Sequence, residues 1–410
     1  MTGLKRNIEE KIIKLLDIFP VVIILGARQV GKTFLSKRIA PTWQYYDLEK
    51  PEDFEAIFRN PTFFFQQYPK ELIIDEAQTY PEIFQILRGV VDAQPDLNGR
   101  FILTGSSSPE LLKHTAETLA GRAALIELGT LKANEYYQQP LSDFYNIFLS
   151  KITPEKYLFK TPPLTALEMS KVWFRGGYPK PLLKMEGNDY QLWMESYRDS
   201  YINRDIARLF PRLNKIAYQK FLSILSKLSS TIINKSDLAR ALQVSEPTVT
   251  EYLGIIENTY LWRTLPSYEK NIIKSVIKMP KGYIRDSGLL HFLSRIPSMD
   301  DLINDYLLGA SFEAFVIEEI IKGLQATLLT NWDCFYYRTR NGAEIDLILE
   351  GSFGTLPIEI KFSNTIKLKQ IRSLIQFVDE RNLPLGIVIN QSDRVEWITE
   401  KIIQLPVGYI

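Results

Sequence analysis

One run of residues has the types and spacing to hold a polyphosphate. Gly26-Ala27-Arg28-Gln29-Val30-Gly31-Lys32-Thr33 follows the pattern G-x-x-x-x-G-K-T. Gly26 and Gly31 can take backbone angles that a side chain forbids, so successive N–H groups can turn toward one anion. A helix beginning here adds its positive dipole end. Lys32 supplies a compact charge for the β- and γ-phosphates. The Thr33 hydroxyl is a hard oxygen suited to Mg2+. The whole run, Gly26, Ala27, Arg28, Gln29, Val30, Gly31, Lys32 and Thr33, is the candidate cradle for ATP.

A second acidic motif complements the first. Glu71-Leu72-Ile73-Ile74-Asp75-Glu76 is an apolar strand ending in two carboxylates. Asp75 is placed to share Mg2+ with Thr33, and Glu76 to polarise the water that attacks the γ-phosphate. Arg100-Phe101-Ile102-Leu103-Thr104-Gly105-Ser106-Ser107 is another buried strand. Thr104 or Ser106 could hydrogen-bond the γ-phosphate or that water, and the pattern leaves the choice between them open. Arg122, Arg198, Arg204 and Arg208 are the candidates to reach a phosphate from another side, with Arg122 first among them.

These side chains need a frame. Candidate strands at 21–25, 43–48, 71–75, 100–104 and 124–128 alternate with helical stretches. That order predicts an α/β domain with a doubly wound parallel sheet. Ligands bind such sheets at the carboxyl ends of the strands, where Lys32, Asp75 and Thr104 fall. Residues 136–215 lose the strand pattern and read as a helical lid or connector, interrupted by Gly176-Gly177-Tyr178-Pro179. Lys235–Leu242 and Glu246–Glu257, joined by Gln243-Val244-Ser245, form a helix-turn-helix pattern with Ser245 as N-cap. Leu261–Leu265 is a candidate wing strand.

That module reads as DNA-binding or as a packing element. Its second helix carries Glu246, Glu251 and Glu257 and no Lys or Arg, which opposes docking on phosphates. The stretch beyond carries Arg263, Lys270, Lys274, Lys278, Lys281 and Arg285, a candidate basic wing.

The last segment, 305–410, predicts a helix over 310–325, strands at 335–340, 344–349 and 356–362, a helix over 367–381, and a strand at 385–390. Strict alternation would set Ile345, Leu347 and Leu349 on one face and Glu344, Asp346 and Ile348 on the other. Glu359 and Lys361 would share a face, with Asp346 on a neighbouring strand.

The chain resembles the bacterial and archaeal AAA-type ATPases fused to a C-terminal domain of unknown function. The resemblance rests on the loop at 26–33, Leu72–Gln78, Leu103–Ser106, Leu119-Ala120-Gly121-Arg122, Gly176–Pro179, Lys278–Tyr283, Asp286-Ser287-Gly288-Leu289, Glu344-Ile345-Asp346 and Glu359-Ile360-Lys361. It implies an ATP-binding P-loop NTPase sheet of the additional-strand-catalytic-glutamate type, in which the sensor strand lies between the loop strand and the Asp75-Glu76 strand. The segment at 305–410 further resembles the restriction-endonuclease-like PD-(D/E)xK nucleases. By position, that likeness implies Asp346 and Glu359 as Mg2+ ligands, Lys361 as the group that orients or deprotonates water, and Glu313 as the acid of the preceding helix. The expected organisation is an ATPase domain at 1–135, a helical lid at 136–215, a winged-helix-like domain at 216–304 and a nuclease-like α/β domain at 305–410.

Composition bounds the rest. The chain has 410 residues and a net charge of +1, so no global field draws it to nucleic acid or membrane. Its single cysteine, Cys334, excludes an internal disulfide and a cysteine-rich zinc site. The two histidines, His114 and His291, lack companions at ligand spacing and read as structural. No signal peptide or membrane span is legible, and a cytoplasmic location is expected. The functional reading is Mg2+-dependent ATP hydrolysis coupled to DNA-binding-like and nuclease-like modules. An ATP-regulated nuclease and a non-catalytic nucleotide switch are the alternatives. DNA and further copies of the chain are candidate partners.

Overall fold

The structure is a computed structural model that describes residues 4–106, 118–153, 161–200, 206, 210, 213–269, 279–339 and 342–410. The chain divides into two compact units, Met1–Leu131 with Asn258–Tyr260, and Lys132–Glu257 with Leu261–Ile410.

The first unit is built on five strands, β1 (Val21–Leu25), β2 (Gln44–Asp47), β3 (Leu72–Asp75), β4 (Phe101–Gly105) and β5 (Ala123–Glu127). All pair in parallel, in the order β2-β3-β4-β1-β5. The expected sensor strand, β4, does lie between β1 and β3. The central strands β1, β3 and β4 are buried at every position, because layers cover both faces of a parallel sheet. Each Val, Ile, Leu or Phe so buried contributes about 1.5–3 kcal/mol. On one face, Leu72, Ile74, Phe101 and Leu103 pack with Phe84 and Leu87 of the helix Ile83–Asp92. Helix α1 (Glu9–Ile18) precedes β1, and helix α2 (Lys32–Ile39) follows it. The candidate cradle is the turn between β1 and α2.

The second unit contains two helices at the expected positions, Lys235–Leu242 and all of Glu246–Asn258 but its last residue, with Ser245 Oγ accepting from the Thr248 N–H at 3.3 Å. Beside them lies a small antiparallel sheet of β6 (Thr231–Ile232), β7 (Trp262–Leu265) and β8 (Lys281–Ile284), in the order β6-β8-β7. A six-stranded mixed sheet comprises β9 (Trp332–Arg338), β10 (Glu344–Gly351), β11 (Gly354–Ile360), β12 (Gly386–Asn390), β13 (Glu396–Trp397) and β14 (Ile402–Pro406). Its order is β13-β14-β12-β11-β10-β9. The helix Leu308–Ala326 precedes it in sequence, and the helix Arg372–Glu380 packs Leu374, Phe377 and Val378 on its core.

The expected alternation fails in β10. Its pairing with β9 shifts register between Ile345 and Ile348, and both of these residues lie in one core cluster. Ile345, Leu347 and Leu349 therefore do not form one continuous face. A β-bulge re-aims the intervening residues, Asp346 among them.

Two motifs far apart in sequence complete each other. Asp286 Oδ2 accepts from the Gly177 N–H at 2.8 Å, while its Oδ1 caps the next helix at the Leu289 N–H, 2.9 Å away. A Cβ on Gly176 would stand 2.2 Å from Asp286 Oδ1, and one on Gly288 would stand 2.1 Å from the Arg175 carbonyl oxygen. The Gly-Gly-Tyr-Pro and Asp-Ser-Gly-Leu segments are thus two halves of one corner.

His291 is structural here, as its sequence context suggested. It is 2% exposed, with Nδ1 2.8 Å from the Phe174 carbonyl oxygen and Nε2 2.6 Å from Ser311 Oγ. A carbonyl can only accept, so Nδ1 carries the proton and Nε2 accepts from Ser311. Burial, only partly offset by that carbonyl, lowers the imidazole from 6.5 to about 4. A depressed base excludes its proton in the fold, so its contribution is present above pH 6.5 and is lost as pH falls toward 4. The expected loss is about 3 kcal/mol. Urea unfolding of the second unit across that range should show the slope in the wild type and a flatter one in His291→Gln. Equal slopes would remove His291 as its origin. His114 lies outside the described residues.

Candidate functional site

The cradle is shaped by backbone angles. Gly26 has φ 155° and Gly31 has φ 99°, and Gln29 between them has φ 65°. A Cβ on Gly26 would stand 2.2 Å from the Leu128 carbonyl oxygen, just beyond β5, so glycine is required there for space as well as angle. Lys32 opens α2 and is 5% exposed. Its ammonium arches over its own loop, donating to the Gly26 and Ala27 carbonyl oxygens at 3.0 Å each. Burial lowers its pKa, against the opposing pull of Glu76 and Asp75. Arg28, at the rim, lies 3.9 Å from Glu49.

Asp75 ends β3 and is 3% exposed. A carboxylate has about four lone-pair sites, and the protein supplies donors for them. Thr33 Oγ1 donates to Oδ2 at 2.6 Å and the Tyr45 hydroxyl to the same oxygen at 2.8 Å. The Thr104 hydroxyl and the Glu76 N–H donate to Oδ1. Thr104 and Thr33 therefore meet on one carboxylate, though 71 positions separate them. Burial, followed by the hydrogen bond to Asp75, raises the Tyr45 phenol far above its ordinary range and keeps it protonated. The Lys37 ammonium covers the Tyr45 ring at 3.3 Å from its centroid.

Glu76 follows with φ 54°, a left-handed conformation that costs a side-chain-bearing residue about 1–3 kcal/mol. The angle turns its carboxylate to a separate set of partners. Ser106 Oγ donates to Glu76 Oε2 at 3.2 Å, the Gln78 amide donates to the same oxygen, and the amide also reaches Ser106 Oγ at 3.1 Å. The two hydroxyl residues that sequence left as alternatives thus have separate places, Thr104 on Asp75 and Ser106 on Glu76.

Arg122 requires a correction. It precedes β5, and its carbonyl accepts from the Val21 N–H at the start of β1. That is the amino edge of the parallel sheet, whereas the cradle and Asp75 lie at the carboxyl edge. Its guanidinium is 2.5 Å from Asp92 Oδ1. Arg122 does not reach the cradle of its own chain. Arg198 is paired with Asp199 at 2.9 Å, and Arg204 and Arg208 lie outside the described residues.

In the second unit, Asp346, Glu359, Lys361 and Glu313 come together, and two residues join them. Lys361 Nζ lies 2.5 Å from Glu359 Oε1 and 3.8 Å from Asp346 Oδ2. Asp346 Oδ2 accepts from the Ile360 N–H at 2.8 Å, which ties β10 to β11. Lys281 Nζ, from β8, lies 2.6 Å from Glu313 Oε1 and 2.9 Å from Glu344 Oε1. Burial, reinforced by the Asp346 charge, pushes Glu359 well above the usual carboxylate range. Burial likewise pushes Glu313 up to about 8, with Asp346 and Glu344 adding to it and Lys281 opposing. Burial pulls Lys361 and Lys281 down, but the surrounding carboxylates outweigh it and hold both ammonium groups above their ordinary value. Among the described residues, no group of three or more His, Cys, Asp or Glu is arranged to hold a metal ion.

The basic wing is also corrected. Lys281 is 2% exposed and held by carboxylates, while Arg263 and Arg285 pair with the buried Glu318. These three cations are paired with carboxylates of the fold and do not form an open basic face. Lys270, Lys274 and Lys278 lie outside the described residues. Sequence reasoning missed Tyr45, Gln78 and the site role of Lys281. Tyr45 stands on an edge strand with no motif to mark it, and Lys281 looked like one more wing cation. Among the described residues, no helix is long and apolar enough to cross a membrane.

A family profile described as an AAA domain matches residues 19–137. Two profiles described as domains of unknown function, DUF8612 and DUF4143, match residues 167–300 and 308–410. An uncharacterised protein of Mycobacterium tuberculosis is 30% identical over 410 residues, covering 99% of this chain and 84% of the relative. An uncharacterised protein of Mycobacterium bovis matches to the same extent. Among solved structures, a Walker-type ATPase of Pyrococcus abyssi aligns at 16% identity over 70% of this chain and 94% of its own, with a TM-score of 0.41. The RuvB Holliday junction branch migration motor of Thermotoga maritima aligns at 17% identity over 64% of this chain and 90% of its own, with a TM-score of 0.30. The parallel sheet, the glycine-bent loop and a likeness that runs nearly end to end agree: the chain belongs to the family of these mycobacterial proteins, with an AAA-type P-loop ATPase domain and a C-terminal domain of unknown function.

Proposed function

We propose that the first unit binds ATP with Mg2+ and hydrolyses it. The observation that carries this reading is the convergence on Asp75. Thr33 from the loop and Thr104 from β4 both donate to its carboxylate, beside the buried Lys32. Thr33 Oγ1 is a hard oxygen suited to a divalent cation, and Asp75, 2.6 Å away, would accept from a water of that ion once the Thr33 hydroxyl turns to the metal. Mg2+ held there would neutralise phosphate charge. Lys32 exchanges the Gly26 and Ala27 carbonyls for β- and γ-phosphate oxygens, and the loop N–H groups bind the remainder. Glu76 orients the attacking water and takes its proton, with Ser106 and Gln78 steering the carboxylate. Thr104 keeps Asp75 aligned. The test is phosphate release from ATP by the whole chain, with Mg2+ and with chelator. Release that requires Mg2+ is expected, and release no greater than buffer alone would overturn the reading.

A second reading concerns the last segment, where Asp346, Glu359 and Lys361 meet on adjoining strands. We read this segment as PD-(D/E)xK-like and the helix-turn-helix with its small sheet as winged-helix-like. In this reading, Asp346 and Glu359 are the residues that would hold Mg2+, which would supply charge stabilisation at a phosphate, and Lys361 would orient the attacking water. Incubated with Mg2+, plasmid DNA should be nicked by the wild type and left intact by Lys361→Ala. Equal nicking by both proteins would place the activity elsewhere.

A further inference from the structure

Arg6 lies in a charged amino-terminal stretch that carries no recognisable motif, yet it is 6% exposed. Its Nη1 donates to the Val30 carbonyl oxygen at 3.1 Å. Its Nη2 donates to the carbonyl oxygens of Gly129 at 2.8 Å and Thr130 at 3.2 Å. One guanidinium therefore joins the segment before α1, the phosphate cradle and the chain leaving β5. The arginine is itself anchored, because its main-chain N–H donates to Glu9 Oε1 at 2.7 Å. The same Glu9 oxygen accepts from Arg38 Nε at 2.9 Å, and Arg38 lies on α2, the helix that the cradle opens.

The Val30 carbonyl has a particular partner. It shares one planar trans peptide with the Gly31 N–H, and the two groups point in opposite directions. Fixing the carbonyl on Arg6 fixes where the Gly31 N–H points. Gly31, at φ 99°, has no side chain to limit rotation of that peptide. A charged donor on the carbonyl also polarises the unit and makes its N–H a stronger donor.

We propose that Arg6 is a positioning residue of the nucleotide site, which presents the Gly31 N–H to the phosphates through the Val30–Gly31 peptide. The proposal rests on the reading of the loop as an ATP cradle. It makes the segment ahead of α1 part of that site and links phosphate affinity to how that segment is held.

The test uses the full chain as wild type, Arg6→Met and Arg6→Lys. Binding of a fluorescent ADP, the KM and kcat for ATP, the amide nitrogen shift of Gly31 in labelled protein, and the melting temperature without nucleotide are measured together. Arg6→Met should weaken ADP binding about tenfold, the scale of a lost hydrogen bond from a charged group. KM should rise while kcat changes less, and the Gly31 nitrogen should shift. Arg6→Lys, which keeps the charge but cannot reach all the carbonyls, should fall between. A lower melting temperature with unchanged ADP affinity and an unchanged Gly31 signal in Arg6→Lys would overturn the proposal and leave Arg6 as a stitch between segments. Should Arg6→Met fail to fold, that same Arg6→Lys comparison decides. Absence of ADP binding by the wild type would instead overturn the ATP reading.

Discussion

ATP turnover falls about 10²–10⁴-fold when Glu76 becomes glutamine, the range for loss of a positioned general base. Glutamine keeps the length and can still hydrogen-bond Ser106, which lies 3.2 Å from the present carboxylate. Nucleotide affinity should therefore persist in this variant. Lys32→Ala should lose both properties, because it removes the buried ammonium over the Gly26 and Ala27 carbonyls. Phosphate release and fluorescent-nucleotide binding, run side by side on the two variants, separate the roles. Turnover that survives in both would end the assignment of this loop as a catalytic site.

The second large effect concerns stability. Lys281→Met should destabilise the second unit by about 3–5 kcal/mol above pH 8, where Glu313 is ionised, the scale for breaking a buried ion pair from one side, and by less at neutral pH. The substitution keeps most of the apolar stem but leaves Glu313 and Glu344 without their shared cation. The Asp346 charge raises Lys281 as well, so it also loses a neighbouring positive charge. Adding Glu313→Gln should return part of the loss, because the second change removes the stranded acid. Denaturant melts of the single and double variants measure both effects. A single variant as stable as the wild type would mean that Lys281 does not hold this cluster together.

Much of the first unit was legible because its signals are local. A buried strand, a glycine-bent loop and a helix follow one another over Val21–Ile39, and the strand ends carry Asp75 and Thr104. The helix Lys235–Leu242 was equally clear, and the structure caps it with Asn234. What failed depended on contacts between distant segments. Arg122 read as a phosphate ligand by residue type, but the parallel register puts it at the wrong edge of the sheet. Arg263, Lys281 and Arg285 read as a basic surface because their acids, Glu318, Glu313 and Glu344, lie far along the chain. The β10 alternation broke at a bulge that no residue type announces. Strand β14 went unforeseen, although all its positions are buried. Arg6 was overlooked because a lone arginine beside glutamates looks like solvent-facing charge.

The corner between Gly177 and Asp286 bears on how the chain is made. Its two halves are 109 positions apart, so the glycine turn leaves the ribosome well before the carboxylate that seats it. At about 5–20 residues per second, the wait is about 5–20 s. During that interval the turn has no cap, and Trp173 lacks Ser311, whose hydroxyl its indole N–H meets at 2.9 Å in the finished protein. The first unit, apart from the three residues Asn258–Tyr260, can settle while synthesis continues. The second must stay open until its late strands arrive, which makes it the portion with most to gain from a chaperone.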